Sequence, residues 1–221
     1  MRIRRRKWAK QELEEAKFYY DNPNEYKGKI KTFFQNQGQP IHLEIGCGKG
    51  GFIAELASSH PEVNYIAADM IEAMLGLSKR NIEEKYAEKR LEINNLALIR
   101  LNAERILDTF DEIDKVERIY INFCNPWPRG KHKKRRLTHT RQLNNYKTFM
   151  TENAEIYFKT DNDELFEESF EYFEEAGFEI LKKTYDLKND LIFEDIETEH
   201  EKMYSEQNIK IKALIAKRIS K

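Results

Sequence analysis

No stretch of the sequence approaches the roughly 18 uncharged apolar residues that a spanning helix requires, so no membrane partner is expected. Cysteine is scarce: Cys47 and Cys124 stand far apart, in no metal-ligand spacing. That excludes a disulfide scaffold and a cysteine-based metal module, and leaves a reduced, cytoplasmic protein without a metal as the expectation. The opening Met-Arg-Ile-Arg-Arg-Arg-Lys-Trp has no apolar segment after its charges, so a secretory signal is not expected. There is no internal repeat, no low-complexity tract and no clear linker. A length of 221 residues favours one domain of the α/β size class.

Acid is missing from one long stretch. Arg118 to Thr151 contains no Asp or Glu, yet carries Arg118, Arg129, Lys131, Lys133, Lys134, Arg135, Arg136, Arg141 and Lys147. The first ten residues hold six Lys/Arg and no acid, whereas Glu152 to Glu201 holds eighteen acids against four lysines. The formal charge of −1 therefore conceals a polarised chain. One basic block in a near-neutral total is what a polyanion-binding face leaves in the composition. A solvated surface explains the acidic stretch after Asn162 equally well.

Periodicity predicts a charged amphipathic helical extension over residues 8–35, then alternating strands and helices. Strands are expected at 41–45, 64–68, 97–101, 118–123, 155–159, 178–185 and 209–217. Helices are expected at 52–59, 71–90, 103–110, 138–150 and 163–176. This alternation predicts an α/β fold, a mostly parallel seven-stranded sheet with helices on both faces.

Leu43-Glu-Ile-Gly-Cys-Gly-Lys-Gly-Gly-Phe52 leaves the first main strand and opens a helix. Glycines there allow a tight turn and close backbone approach to a ligand. Gly46, Gly48 and Gly51 satisfy G-x-G-x-x-G, with Asp69 closing the next strand, so a dinucleotide and S-adenosylmethionine both fit the pattern. Glu44 favours the latter. A carboxylate opposes the pyrophosphate that a helix N-terminus attracts but suits a sulfonium bearing an amino group. Asp69 can accept from two ribose hydroxyls, or cap the helix that begins at Ile71. Asn102 and Ala103, after the third strand, can present an amide and a backbone N–H to an adenine edge.

The β-prone run Ile119–Phe123 leads into Cys124-Asn-Pro-Trp-Pro128, and two prolines around Trp127 restrict the backbone. The basic run Arg129–Arg136 follows at once. Loops at the carboxyl ends of strands are where open α/β sheets bind ligands. A cationic rim is therefore expected at the mouth of the cofactor crevice.

With these residues in view, the chain resembles the bacterial tRNA (guanine-N7)-methyltransferase family. The likeness is carried by Leu43–Gly50 (LEIGCGKG), Asn122–Pro128 (NFCNPWP) with His132–Leu137 (HKKRRL), Phe158–Asn162 (FKTDN) and Thr198–Glu201 (TEHE). It implies a Rossmann-like class I methyltransferase domain over residues 38–221 behind an N-terminal extension over 1–37. It also implies S-adenosylmethionine as methyl donor, S-adenosylhomocysteine as product, and a guanine in the tRNA variable loop as substrate. Position by position, Glu44, Gly46, Gly48, Asp69, Asn102 and Ala103 fall on cofactor contacts. Asn125 falls on the position assigned to cofactor and catalysis. Arg129, Asp161, Thr198, Glu199, His200 and Glu201 fall on substrate contacts. The family usually carries Asp at Asn125, an acid at Asn102, Lys at Arg129, Glu at Asp69 and Tyr at His200.

Guanine N7 is an in-plane lone pair without a proton at neutral pH, so its methylation needs in-line orientation rather than a general base. Asn125 accordingly has an orienting role. Asp161 and Glu201 are expected to read guanine's two adjacent Watson–Crick donors, although Asp161-x-x-Glu164 also resembles a helix capping box. The arms Arg4, Arg5, Arg6 and Lys131, Lys133, Lys134, Arg135, Arg136 are expected to grip phosphates. Two other readings are an amino-group methyltransferase, because Asn125-Pro126-Trp127 imitates an Asn-Pro-Pro-Tyr turn, and an RNA-binding module with a decayed site. Both a monomer and a homodimer are compatible with the sequence.

Overall fold

The structure is a computed structural model describing residues 7–193 and 196–219. It divides into two compact units, the first ending at Asp114 and the second starting at Lys115.

In the first unit, helix α1 (Lys7–Glu14) is followed by a short strand, β1 (Tyr19–Tyr20). Then come β2 (Ile41–Ile45), α2 (Gly51–Ser59), β3 (Asn64–Asp69), α3 (Glu72–Glu88) and β4 (Leu96–Arg100). The strands lie in the order β1-β4-β3-β2, all parallel, with Ile41 opposite Asn64 and Tyr65 opposite Leu96. Every residue of β2 is buried, as strands of parallel sheets covered on both faces require. Asn95 organises the strand entrances: its amide donates to the carbonyls of Ala57, His60 and Val63, and its oxygen accepts from the Tyr86 hydroxyl at 2.6 Å.

The expected helical extension over 8–35 is corrected. The helix stops at Glu14, and two 3-10 turns, Pro23–Tyr26 and Ile30–Phe33, replace the remainder. Asn22-Pro23 cannot continue a helix, and Gly28 takes φ +75°. The Asp114 carboxylate captures the Gly28 and Ile30 amides at 2.8 and 3.1 Å. Tyr19–Tyr20 adds a parallel strand beside Leu98–Ile99. Eight strands are therefore present among the described residues, four in each unit, where seven were expected.

The second unit holds β5 (Val116–Asn122), α4 (Thr140–Phe149), β6 (Met150–Thr160), α5 (Asp163–Glu175), β7 (Phe178–Thr184), α6 (Glu199–Glu206) and β8 (Lys212–Arg218). Its strands are ordered β5-β6-β8-β7, the first pair parallel and the other two antiparallel. In α5, Leu165, Phe166, Ser169 and Phe173 form the buried face, while most of the acids sit outside it. Leu187 and Ile192 pack with Ile211, Ala213 and Ile215 in one buried cluster. No helix among the described residues is long and apolar enough to cross a membrane.

Candidate active site

The glycine loop after β2 turns through left-handed backbone at three glycines. Gly46, Gly48 and Gly50 have φ of +83°, +55° and +75°, where side chains are rarely tolerated. A methyl group on Gly46 or Gly48 would meet no atom within 4 Å, so the backbone there is open to close approach. One on Gly50 would lie 2.1 Å from Ser78 Oγ. Gly50, rather than Gly51, is thus the glycine that packs the loop against α3.

Asp69 is the clasp of this loop. Its Oδ2 accepts from the Gly48 amide at 3.1 Å and its Oδ1 from the Ile71 amide at 2.8 Å. Each oxygen keeps a further lone pair. Burial pushes the Asp69 carboxyl up, against the lowering effect of the Ile71, Gly48 and Met70 amides. The ribose and capping readings are therefore compatible, because capping uses only part of the carboxylate. Glu44 is 2% exposed. Burial, reinforced by Asp69 and Glu44, pushes the Cys47 thiol well up and keeps it inert. Asn102 spends its side-chain oxygen on the Glu104 amide at 3.0 Å, and Ala103 starts a 3-10 turn directly after it.

In the second unit, the turn after β5 is held in an uncommon conformation. Phe123 and Trp127 take φ of +50° and +42°, each costing about 1–3 kcal/mol. Asn125 lies between them, exposed, with its Oδ1 accepting from the Trp127 amide at 3.0 Å. That bond shapes the turn and leaves the side-chain NH₂ as a donor. The Arg135 guanidinium covers one face of Trp127 at 4.1 Å, and His132 lies 5.8 Å away, so Trp127 is a packed ring.

Two residues expected to contact substrate are engaged within the fold. Arg136 is wholly buried: Nε donates to the Pro126 carbonyl at 2.6 Å, Nη1 to Glu168 at 2.6 Å and Nη2 to Glu164 at 3.3 Å. It ties the proline turn to α5 and is closed to RNA. Lys133 pairs with the same two acids. Arg129, Lys131, Lys134 and Arg135 are exposed around the 3-10 turn Gly130–Arg135. Arg4, Arg5 and Arg6 lie outside the described residues.

Glu201 is the second. It is 5% exposed and forms a capping box with Thr198: its Oε2 accepts from the Thr198 amide at 2.6 Å, and Thr198 Oγ1 accepts from its amide at 3.1 Å. Its oxygens also accept from Lys159 Nζ at 3.1 and 3.4 Å. Both of its oxygens are thus engaged within the fold. Glu199 opens α6, and His200 is exposed, stacked on Phe123 at 5.3 Å and 18°.

Asp161 is partly buried, and burial first, with the nearby Asp161 carboxylate second, pushes the Tyr204 phenol up. The capping role suggested for Asp161 belongs to Asn162, whose Oδ1 accepts from the Leu165 amide at 2.8 Å. Asp161, Tyr204, Phe123 and His200 therefore form one cluster, whereas Thr198 and Glu201 lie beneath it as structure. The sequence reading missed Lys159, although it stands within the Phe158–Asn162 motif. No group of three or more His, Cys, Asp or Glu able to hold a metal is present among the described residues.

The sequence model of a family described as "Putative methyltransferase" matches residues 38–214. The chain is 58% identical over 216 residues to a tRNA (guanine-N(7)-)-methyltransferase of Clostridium beijerinckii, covering 98% of both chains. It is 53% identical over 219 residues to one of Clostridium perfringens strain SM101, covering 99% of this chain and 100% of that one. Among solved structures, the 16S rRNA methyltransferase KamB is similar in fold, with a TM-score of 0.60 over 82% of this chain and 89% of that one, at 14% identity. With relatives 53–58% identical over nearly the whole of both chains, the chain belongs to the tRNA (guanine-N(7)-)-methyltransferase family.

Proposed function

We propose that this chain transfers the methyl group of S-adenosylmethionine to N7 of a guanine in the variable loop of tRNA. The observation that carries the reading is its identity of 53–58%, over practically the whole length, to relatives bearing that activity in their names.

The first unit's loop suits the cofactor. Open backbone at Gly46 and Gly48, and an Asp69 carboxylate with lone pairs to spare, fit a ribose and an amino-acid tail lying against the chain. When bound, the cofactor supplies a methyl group activated on a sulfonium. Glu44, Gly46, Gly48, Asp69, Asn102 and Ala103 would hold and orient it. Asn125 contributes position through its NH₂ group, because its oxygen is committed to Trp127. No residue has to remove a proton, since N7 carries none.

On the substrate side, Asp161 reads the donor edge of guanine, with Tyr204 beside it. Adenine lacks the paired donors and would leave a buried acceptor unmatched, at a cost of about 1–3 kcal/mol. His200 and Arg129 line the approach, and Lys131, Lys134 and Arg135 grip phosphates. The Asn125-Pro126-Trp127 resemblance to amino-group methyltransferases yields to the same test. Labelled methyl transfer to a tRNA transcript should give a product that reduction and aniline cleave at the variable-loop guanine, and changing that guanine to adenine should abolish uptake. Label that resists aniline cleavage would refute the assignment.

A further inference from the structure

Lys159 stands out as a cation placed where charge is costly. It is 2% exposed, in the middle of the second unit, and a lysine so deep persists only when paired and hydrogen-bonded. Its ammonium reaches both oxygens of Glu201 at 3.1 and 3.4 Å and the Ile196 carbonyl at 3.5 Å, and it lies 5.3 Å over the Phe193 ring. Its own carbonyl accepts from the Phe123 amide at 2.9 Å. One residue therefore joins three pieces of chain: the exit of β5, the end of β6, and the start of α6.

Each piece carries something that faces outward. Phe123, with φ +50°, opens the turn that contains Asn125. His200, one residue before Glu201, stacks on the Phe123 ring. Tyr204, one turn later on α6, packs against the same ring with centroids 5.8 Å apart and lies near the Asp161 carboxylate. Glu201, clamped by Lys159 on one side and by the Thr198 amide on the other, fixes the angle at which α6 presents these side chains.

We propose that Lys159 is a positioning residue for the tRNA base: through Glu201 it sets α6, and with it His200 and Tyr204, against Phe123 and Asp161. Glu201 thereby affects the substrate through its bond to Lys159, without contacting the base. The proposal rests on the tRNA reading for its kinetic half only. Its geometric half concerns the chain alone.

The test is a double-mutant cycle of Lys159→Met, Glu201→Gln and the pair, with Lys159→Arg as the conservative variant. Three quantities are read: KM and kcat for tRNA, affinity for S-adenosylmethionine, and the ring-current shift of the His200 imidazole protons in the free protein. Lys159→Met leaves a buried carboxylate unpaired and lowers the melting temperature. The double variant removes both charges and recovers most of that loss.

In the double variant we expect the tRNA KM to stay raised by about tenfold or more, as misplaced contacts require, with cofactor affinity within about twofold of wild type. The His200 shift should move towards its free value, and the two single effects should not multiply. Lys159→Arg should retain part of the wild-type KM. Recovery of wild-type KM in the double variant would reduce the pair to a stability element, and multiplying effects would put Glu201 on the substrate itself. Either result overturns the proposal. If the wild type methylates no tRNA, the reading of function falls, and an unmoved His200 resonance would separately overturn the geometry.

Discussion

Replacing Arg136 by methionine should cost stability and leave the salt dependence of tRNA binding untouched. The guanidinium is fully buried, and its donors reach Pro126, Glu168 and Glu164. Removing one partner of a buried pair costs about 3–5 kcal/mol when the other is left without compensation. Here Glu164 and Glu168 keep 51% and 28% of their side-chain surface, and Lys133 remains beside both. The expected loss is therefore nearer 2–3 kcal/mol, or a fall in melting temperature of about 5–10 °C for a chain of this size. The loss should depend on pH. Burial pushes the Glu168 carboxyl up, but hydrogen bonds from Lys133 and Tyr172 and the charge of Arg136 outweigh it and hold it at about 2, against an ordinary 4.5. A carboxyl depressed in the folded state stabilises above its unfolded value and loses that contribution as pH falls through its folded value. The difference between wild type and variant should accordingly shrink as pH drops from 4.5 towards 2. Filter binding across a salt series completes the assay. A variant of unchanged melting temperature whose salt slope drops by about 0.7–0.9, the value of one phosphate contact, would refute the placement of Arg136.

The exposed cations should behave oppositely: neutralising Lys131, Lys134 and Arg135 together should flatten the salt slope by about two units or more and leave the melting temperature within about 1–2 °C. Gly50→Ala forces a methyl against Ser78 at 2.1 Å with φ +75°, and should cost more than the about 1–2 kcal/mol of left-handed strain alone, read by urea unfolding. Gly48→Ala meets nothing in the fold, so its larger effect should be on affinity for S-adenosylmethionine, read by calorimetric titration. Asp69→Asn replaces one of two charge-assisted acceptors, those of Gly48 and Ile71, by a donor that opposes an amide. Cofactor affinity should fall by about 10–100-fold.

Much of the first unit was legible because its ligand loop is local in sequence: a buried strand, three left-handed glycines and an acid ending the next strand lie within 30 residues. The roles of individual glycines were less so, since only the packing of Ser78 separates Gly50 from Gly51. The N-terminal segment misled periodicity because its amides are captured by Asp114, a partner more than 80 residues away. Helix α6 was missed for a related reason. Its capping box, Thr198 with Glu201, lies inside a motif read for chemistry, so the capping role of that acid went unread. Arg136 looks like its neighbours in the sequence HKKRRL. Only the 3-10 turn, which rotates it inward to Glu168 while Lys134 and Arg135 face out, distinguishes it.

The most direct test of the central claim changes a single atom of the substrate. In a tRNA whose variable-loop guanine is replaced by 7-deazaguanine, the Watson–Crick edge is intact but the N7 lone pair is gone. The account predicts that this tRNA binds as well as the normal one and accepts no methyl group from S-adenosylmethionine. Methyl uptake at the undiminished rate would place the reaction on another atom and contradict it.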